Sequence, residues 1–313
     1  VYWYLDQHER AIQDYDHSIL LDPDLVLAYF SRGIYYKNMG QHEQAILDFD
    51  KAIQLDSNKA SFYYQRGIVY SMMNQQERAI LDFDKAIKLD PNHAYSYHGR
   101  GKAYHELGQH QKAILEYDKA IQLDPNTRAY VYTGRGDAYY ELGQYQRAIQ
   151  DYDKAIQLDP NLGDAYYNRG IAYGDLGQYQ LALADYDEAI RLDPSYADGY
   201  ANRSQLHRFL GNYAQAEEDF GLAVELGIDS DELESELENA ESQRVVKSAA
   251  DTFIPQDAEG YLRRWVTYGE AGKFDLAIQD FDKVIQLNPD LAVAYNNRGL
   301  AYASLNQLAS AIE

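Results

Sequence analysis

Residues 44–56 read QAILDFDKAIQLD. Close copies follow as RAILDFDKAIKLD at 78–90, KAILEYDKAIQLD at 112–124, RAIQDYDKAIQLD at 147–159 and LALADYDEAIRLD at 181–193. The alanine near the start of this phrase recurs as Ala11, Ala45, Ala79, Ala113, Ala148, Ala182, Ala216, Ala277 and Ala311. The interval is 34 residues, with one of 35 and one of 61. The 35 reflects one extra residue in a loop around Thr127 and Arg128, and the 61 is one period with 27 residues inserted. A fixed period of this length is the mark of one supersecondary unit repeated, each copy packing on its neighbours.

Within a period the pattern is helical. Tyr166, Gly170 and Tyr173 are four and three apart, which sets them on one face of a first helix; Ala182, Tyr186 and Ala189 do the same for a second. Gly177 in DLGQY ends the first helix, and Pro194 after RLD opens the next turn. Small residues at Gly170 and Ala182 are expected to let the two backbones approach, with the aromatics filling the space beside them. One helix pair cannot bury such a face alone, so successive pairs must stack.

Tyr166, Gly170, Tyr173, Ala182, Tyr186, Ala189 and Pro194 occupy the signature places of the tetratricopeptide repeat (TPR), with Tyr where that family often has Trp. The chain resembles this family over residues 1–228 and 258–313. The resemblance implies an all-α, right-handed superhelical solenoid of stacked antiparallel helix hairpins. The expected organisation is an array over 1–228, made of a partial repeat at 1–25 and six full repeats. An inserted acidic helix and linker follow at 229–257, then a full repeat and a truncated final one at 258–313. Opening and stopping inside a repeat reads as a piece of a longer array whose ends lack capping helices. In the insertion, Asp229 or Ser230 can cap a helix whose apolar stripe is Leu233, Leu237 and Ala240. Extended, residues 251–257 reach about 24 Å, roughly a helix length, and could return the chain so that stacking resumes. A cap on the preceding repeat, with a break or bend in the solenoid, is expected here. Trp265 stands where other repeats carry Gly or Ser, which predicts looser packing in that hairpin.

The formal charge of -22 argues against nucleic acid, because phosphate binding needs a cationic surface. Most of that charge has a repeat origin: acids recur three residues after the marker alanine (Asp48, Asp82, Asp151, Asp185), five after it (Asp50, Asp84, Asp153), and before the turn (Asp90, Asp124, Asp193). Arg32, Arg66, Arg100, Arg135, Arg169, Arg203, Arg264 and Arg298 recur in the first helix just before the small residue. Half covered, each needs an acceptor, and the acids three past the alanine are the natural partners, which predicts an Arg–Asp ladder within or between repeats. The tyrosines at recurring places read as packing. No apolar run is long enough to span a bilayer, so no membrane passage is expected. Cysteine is absent, so there are no disulfides or thiolate metal sites. His98 and His105 lie seven apart with His93 and His110 nearby, but Lys102 between them repels a cation, so no metal is expected. No nucleophile motif, phosphate-binding glycine loop or HExxH occurs, so neither catalysis nor a cofactor is expected.

What varies between repeats is the set of residues that the resemblance places on the inner, concave surface, where family members usually hold ligands. Leu27, Phe30, Ile34, Tyr64 and Ile68 make an apolar start. Tyr95, His98, Lys102, His105 and Tyr130 make an aromatic, mildly basic middle. Asp137, Glu141, Asp164, Tyr167, Asn168, Asp175, Asp198 and Asn202 make an acidic, amide-rich end. The expected ligand is a protein or peptide, extended or helical, with an apolar segment and a basic one. The family's grip on acidic chaperone tails needs a Lys and Asn four apart; the matching places here read Phe30/Ile34, Tyr64/Ile68, His98/Lys102 and Thr133/Asp137, so that grip is absent. The function expected is a protein–protein interaction scaffold. The alternatives are a self-associating segment that stacks through uncapped ends, and a regulatory or sensor domain of a larger protein.

Overall fold

The marker alanines are where the hairpins close. In the computed structural model, Ala45, Ala79, Ala113, Ala148, Ala182 and Ala216 are all fully buried. The structure describes residues 8–124, 129–240, 258–270 and 273–310. Among the described residues it contains helices and turns and no strand. The helices are α1 (His8–Leu21), α2 (Val26–Asn38), α3 (His42–Leu55), α4 (Ala60–Met72), α5 (Gln76–Leu89), α6 (Ala94–Glu106), α7 (His110–Leu123), α8 (Ala129–Glu141) and α9 (Tyr145–Leu158). They continue with α10 (Gly163–Asp175), α11 (Tyr179–Leu192), α12 (Ala197–Leu210) and α13 (Tyr213–Glu225). A further helix, α14, covers 230–240. The last are α15 (Ala258–Glu270), α16 (Phe274–Leu287) and α17 (Ala292–Ser310).

The chain forms two compact units, Val1–Gly143 with Gln150–Pro160, and Gln144–Ile149 with Asn161–Glu313. In the first, α2 packs on α3, α4 on α5 and α6 on α7. Successive hairpins join through α3–α4, α5–α6 and α7–α8, and through first helix to first helix in α2–α4, α4–α6 and α6–α8. In the second, α10 packs on α11, α11 on α12, α12 on α13, and α15–α16–α17 form a consecutive stack. The all-α stacked-hairpin architecture expected from the sequence is the one found. The extra loop residue near Thr127 and Arg128, the linker 241–257 with its return path, and Ala311 lie outside the described residues.

Each hairpin packs around one aromatic of its second helix. Phe49, Phe83, Tyr117, Tyr152 and Phe281 are almost completely buried. The small residue of the first helix faces this ring: a Cβ added at Gly67 would come 2.8 Å from Phe83, and one at Gly170 would come 2.8 Å from Tyr186 and 3.3 Å from the Ala182 carbonyl. The ring, more than the opposed alanine, therefore imposes glycine. Where serine replaces it, Ser204 is buried and its hydroxyl donates to the Ala216 carbonyl at 2.7 Å. Trp265 instead lays its ring on Phe281, with centroids 4.9 Å apart. The turn inside each hairpin from α2–α3 to α12–α13 takes a left-handed residue, Gly177 at φ +72°, for example; Asn74 fills the same role at φ 58°. At the turn between hairpins the recurring Asp bends the chain, as where the Asp90 carboxylate accepts from the Asn92 amide at 3.0 Å.

The arginines form the expected ladder. Arg66 donates from Nε and Nη2 to both Asp82 oxygens at 2.7 Å, and from Nη1 to Asp50 of the preceding hairpin. Arg32 spans Asp48 and Asp16, Arg135 spans Asp151 and Asp118, and Arg203 spans Asp219 and Asp187 in the same way. Arg169 and Arg264 are gripped bidentately by Asp185 and Asp280, and Arg298 bonds Asp282. The rungs from Arg32 to Arg264 thus bind their own hairpins and, in the spanning cases, tie them to the previous one, as Arg298 does through Asp282. Several guanidiniums also sit between tyrosines one turn away on either side, such as Arg169 with Tyr166 at 5.5 Å and Tyr173 at 5.8 Å. Burial opposes the charge of Arg66, but its bonds to Asp82 and Asp50 outweigh this and raise its pKa above the usual arginine value. Burial pushes Asp82, Glu116 and Asp151 up despite their arginines.

Candidate functional site

The framework positions of a first helix face the second-helix aromatic and the ladder, which leaves the intervening places free to vary. In the first unit these hold the apolar and aromatic residues singled out above, and they fall into two groups. Phe30, Tyr64 and His98 roof the second-helix rings: Phe30 lies 5.9 Å from Phe49, Tyr64 6.0 Å from Phe83 and His98 5.8 Å from Tyr117. Each also reaches the next hairpin, Phe30 to Phe62 at 4.7 Å, Tyr64 to Tyr95 at 6.4 Å and His98 to Tyr130 at 4.6 Å. Ile34 and Ile68 pack against the buried cores around Phe49 and Phe83. The second group is open: Leu27, Tyr95, Lys102, Tyr130 and Glu141 are exposed. Together the two groups form a seam of rings half sunk into the stack, edged by accessible side chains.

Two polar residues have local roles as well. Asp137 accepts from the buried Tyr152 hydroxyl at 2.9 Å, and with burial its charge pushes that phenol up. His105 shares a 3.3 Å hydrogen bond between its Nδ1 and that of His110. Burial, with the charge of Lys102 adding, lowers His98 to about 4. Among the described residues no group of three or more His, Asp or Glu is arranged to hold a metal ion.

In the second unit Tyr167 lies 6.0 Å from Tyr186 and edge-on to Tyr196 at 5.0 Å, and it accepts a 2.8 Å hydrogen bond from the Asn202 side-chain amide. Burial and the charge of Asp198 push Tyr167 up to about 12. Asp164, Asp175 and Asp198 are exposed and Asn168 is half-buried. Asp175 and Asn202 meet in a cleft of about 300 Å³ with Tyr179, Gln205, Phe209 and Ala240. Asp164 lines a smaller one of about 180 Å³ with Tyr196 and Asp193. Gln205 and Phe209 were missed as candidates. Gln205 sits at the place of Ile68 and Lys102, and Phe209 at the place of Glu141 and Asp175, so position alone would have found both. Ala240 belongs to α14, whose carboxylate at Asp229 caps the helix and whose Leu233 and Leu237 are buried. Glu236 of α14 accepts from the Gln205 amide at 2.6 Å, a contact that no sequence periodicity announces.

A rigid repeated framework with variable first-helix places defines an all-α repeat scaffold. Family models described as "TPR repeat" match residues 36–74, 72–108, 136–177 and 267–306, and models described as "Tetratricopeptide repeat" match 94–127, 163–196, 14–46, 1–25 and 197–226. The chain belongs to the tetratricopeptide repeat family, whose members serve generally as protein-interaction scaffolds and are typically not enzymes. A comparison with curated proteins gave no match. Among solved structures, YrrB, described as a TPR protein with an unusual peptide-binding site, is 24% identical with a TM-score of 0.50, over 62% of this chain and 97% of its own. PilF of Pseudomonas aeruginosa is 19% identical with a TM-score of 0.61, over 67% and 95%. A chain of the APC/C hetero-tetramer Cut9–Hcn1 is 18% identical with a TM-score of 0.54, over 93% and 52%. These likenesses are of fold. No helix among the described residues is long and apolar enough to cross a membrane.

Proposed function

We propose that the chain holds a partner protein by an extended or helical segment laid on the faces of its first helices. An apolar segment would meet the aromatic seam of the first unit, and a basic one the carboxylates and amides of the second. The observation that carries this is the contrast within a first helix: the places that face the ring and the ladder are nearly constant, while the place of Phe30 becomes His98, Thr133 and Ala201 and the place of Ile34 becomes Lys102, Asp137 and Gln205 in later repeats. Exposed Tyr95 and Tyr130 supply contact area with few rotors to freeze. Beside Asp175, the Asn202 and Gln205 amides in the larger cleft suit a peptide backbone with a Lys or Arg side chain.

The test is selection of displayed peptides on the full chain, followed by fluorescence anisotropy with variants. Replacing Tyr95, Lys102 and Tyr130 by Ser also removes the Tyr64–Tyr95 and His98–Tyr130 ring contacts, so a somewhat lower melting temperature is expected, with affinity at least tenfold weaker where both chains are fully folded. Selected peptides should be enriched in apolar residues for the first unit and in Lys and Arg for the second. Peptides that bind the triple variant as tightly as the parent chain would refute the placement on this face.

A further inference from the structure

The larger cleft of the second unit opens where a side chain is missing. Gly174, near the end of α10, lines it, and a Cβ there would meet nothing within 4 Å. Neither a ring contact nor a left-handed backbone demands glycine at this place. In the first helices α2, α4, α6, α8 and α12 the same place holds Lys37, Ser71, His105, Tyr140 and Arg208. A helical glycine costs about 0.5–1 kcal/mol against alanine, so the opening comes at the expense of helix stability.

The hydrogen-bonding sense of the cleft is set from its surroundings. The carboxylate of Glu236 in α14 can only accept, so the Gln205 amide turns its nitrogen to it at 2.6 Å. Asn202 gives its amide nitrogen to the Tyr167 hydroxyl at 2.8 Å. The two amide oxygens are the ends left to accept, beside the Asp175 carboxylate. Apolar Ile171 and Leu206 line the same cleft, together with Tyr179 and Phe209, whose ring centroids lie 5.0 Å apart. The arginines of the surrounding helices are already paired: Arg169 with Asp185, Arg191 with Glu188, Arg203 with Asp219 and Asp187, and Arg208 with Glu217. Burial lowers His207, and α14 carries no basic residue over 230–240. The cleft therefore offers acceptors, aromatic faces and an excess of negative charge.

We infer that this cleft is an arginine pocket: the partner segment places one arginine in it, with the methylenes along Ile171 and Leu206 and the guanidinium donating to Asp175 and to the Asn202 and Gln205 oxygens. The inference deepens the first-helix reading and rests on it. A guanidinium offers five donors in one plane and stacks on aromatic rings, whereas an ammonium is compact and strongly hydrated, so acceptors and rings together favour arginine over lysine. Glu236 is a positioning residue, acting through Gln205.

The probes are the blocked tripeptide Ala-Arg-Ala and its twins with lysine or citrulline in the centre, titrated onto the full chain and read by ligand-detected NMR. Saturable binding of the arginine peptide is expected, at least fivefold tighter than lysine, with citrulline weaker still. Gly174→Tyr installs the residue that α8 carries at this place; it should fill the cleft and abolish binding, with no loss in melting temperature. Glu236→Gln leaves Leu233 and Leu237 to hold α14 but lets the Gln205 amide turn over, so arginine should bind at least threefold more weakly and its lead over lysine should shrink. Absent binding of the arginine peptide overturns the inference, as does equal binding to Gly174→Tyr. Lysine or citrulline binding as tightly as arginine overturns it equally. The Tyr95, Lys102 and Tyr130 variant lies in the first unit and should bind the arginine peptide unchanged. The pocket can thus fail while peptides selected on the chain still lose affinity on that variant, which separates its failure from failure of the first-helix reading.

Discussion

Glu116 is the residue that best exposes how the ladder works. It replaces the aspartate found at Asp82 and Asp151, and its extra methylene changes the grip from two-pronged to one: Arg100 reaches it through Nη2 at 2.6 Å, while the buried Nε has no partner. Glu116→Asp should restore the second bond and stabilise the chain by about 0.5–1.5 kcal/mol. A urea midpoint that stays put or falls would show that this fork geometry does not matter. His98 gives a pH signature. Its folded pKa of about 4 lies below the unfolded value, so between pH 6.5 and 4 the unfolded chain takes up a proton that the folded chain refuses. The stability it contributes is therefore full above 6.5 and is lost as pH falls. The loss between pH 7 and 5 should be about 1–2 kcal/mol larger in the parent than in His98→Gln. Parallel pH profiles of the two would contradict the burial of this ring. The arginines and their acids were legible as recurring letters, but which Arg nitrogen meets which hairpin was not. That depends on stacking, which places the acid five after the alanine within reach of the following repeat's guanidinium.

At the scale of the element, glycine separates two kinds of helical position. Gly170 lies under Tyr186 with no room for a methyl group, whereas Gly221 in α13 would place one in open space. Gly170→Ala should cost about 1–3 kcal/mol through displacement of the ring. Gly221→Ala should stabilise by about 0.5–1 kcal/mol through helix propensity alone. Opposite shifts in melting temperature are the expected readout; shifts of the same sign would show that the ring contact does not govern the hairpin. The helices and their order could be read from the period because each one repeats a solved local problem. The docking of α14 could not. Its cap at Asp229 and its leucines are local signals, yet the Glu236–Gln205 contact joins residues 31 apart that no periodic pattern relates.

Over the whole chain, part of the acidity is structural. Where a guanidinium stands between two carboxylates, as at Arg32, Arg66, Arg100, Arg135 and Arg203, the rung carries one negative charge in excess, so the ladder accounts for a share of the imbalance of 28 basic against 50 acidic residues. Partner charge must then be argued from the acids outside the rungs. Asp164→Asn with Asp198→Asn should weaken a basic peptide severalfold and flatten its salt dependence. Unchanged affinity and an unchanged salt slope would remove the charge half of the proposal. The candidate face was legible as variation against a constant frame, but its division into half-sunk rings and open side chains emerged only from packing. Hydrogen–deuterium exchange of the full chain, with and without a peptide selected on it, tests the central claim most directly. The account predicts slowed exchange in the first helices α4, α6, α8, α10 and α12. Protection confined to second helices, or none at all, would contradict it.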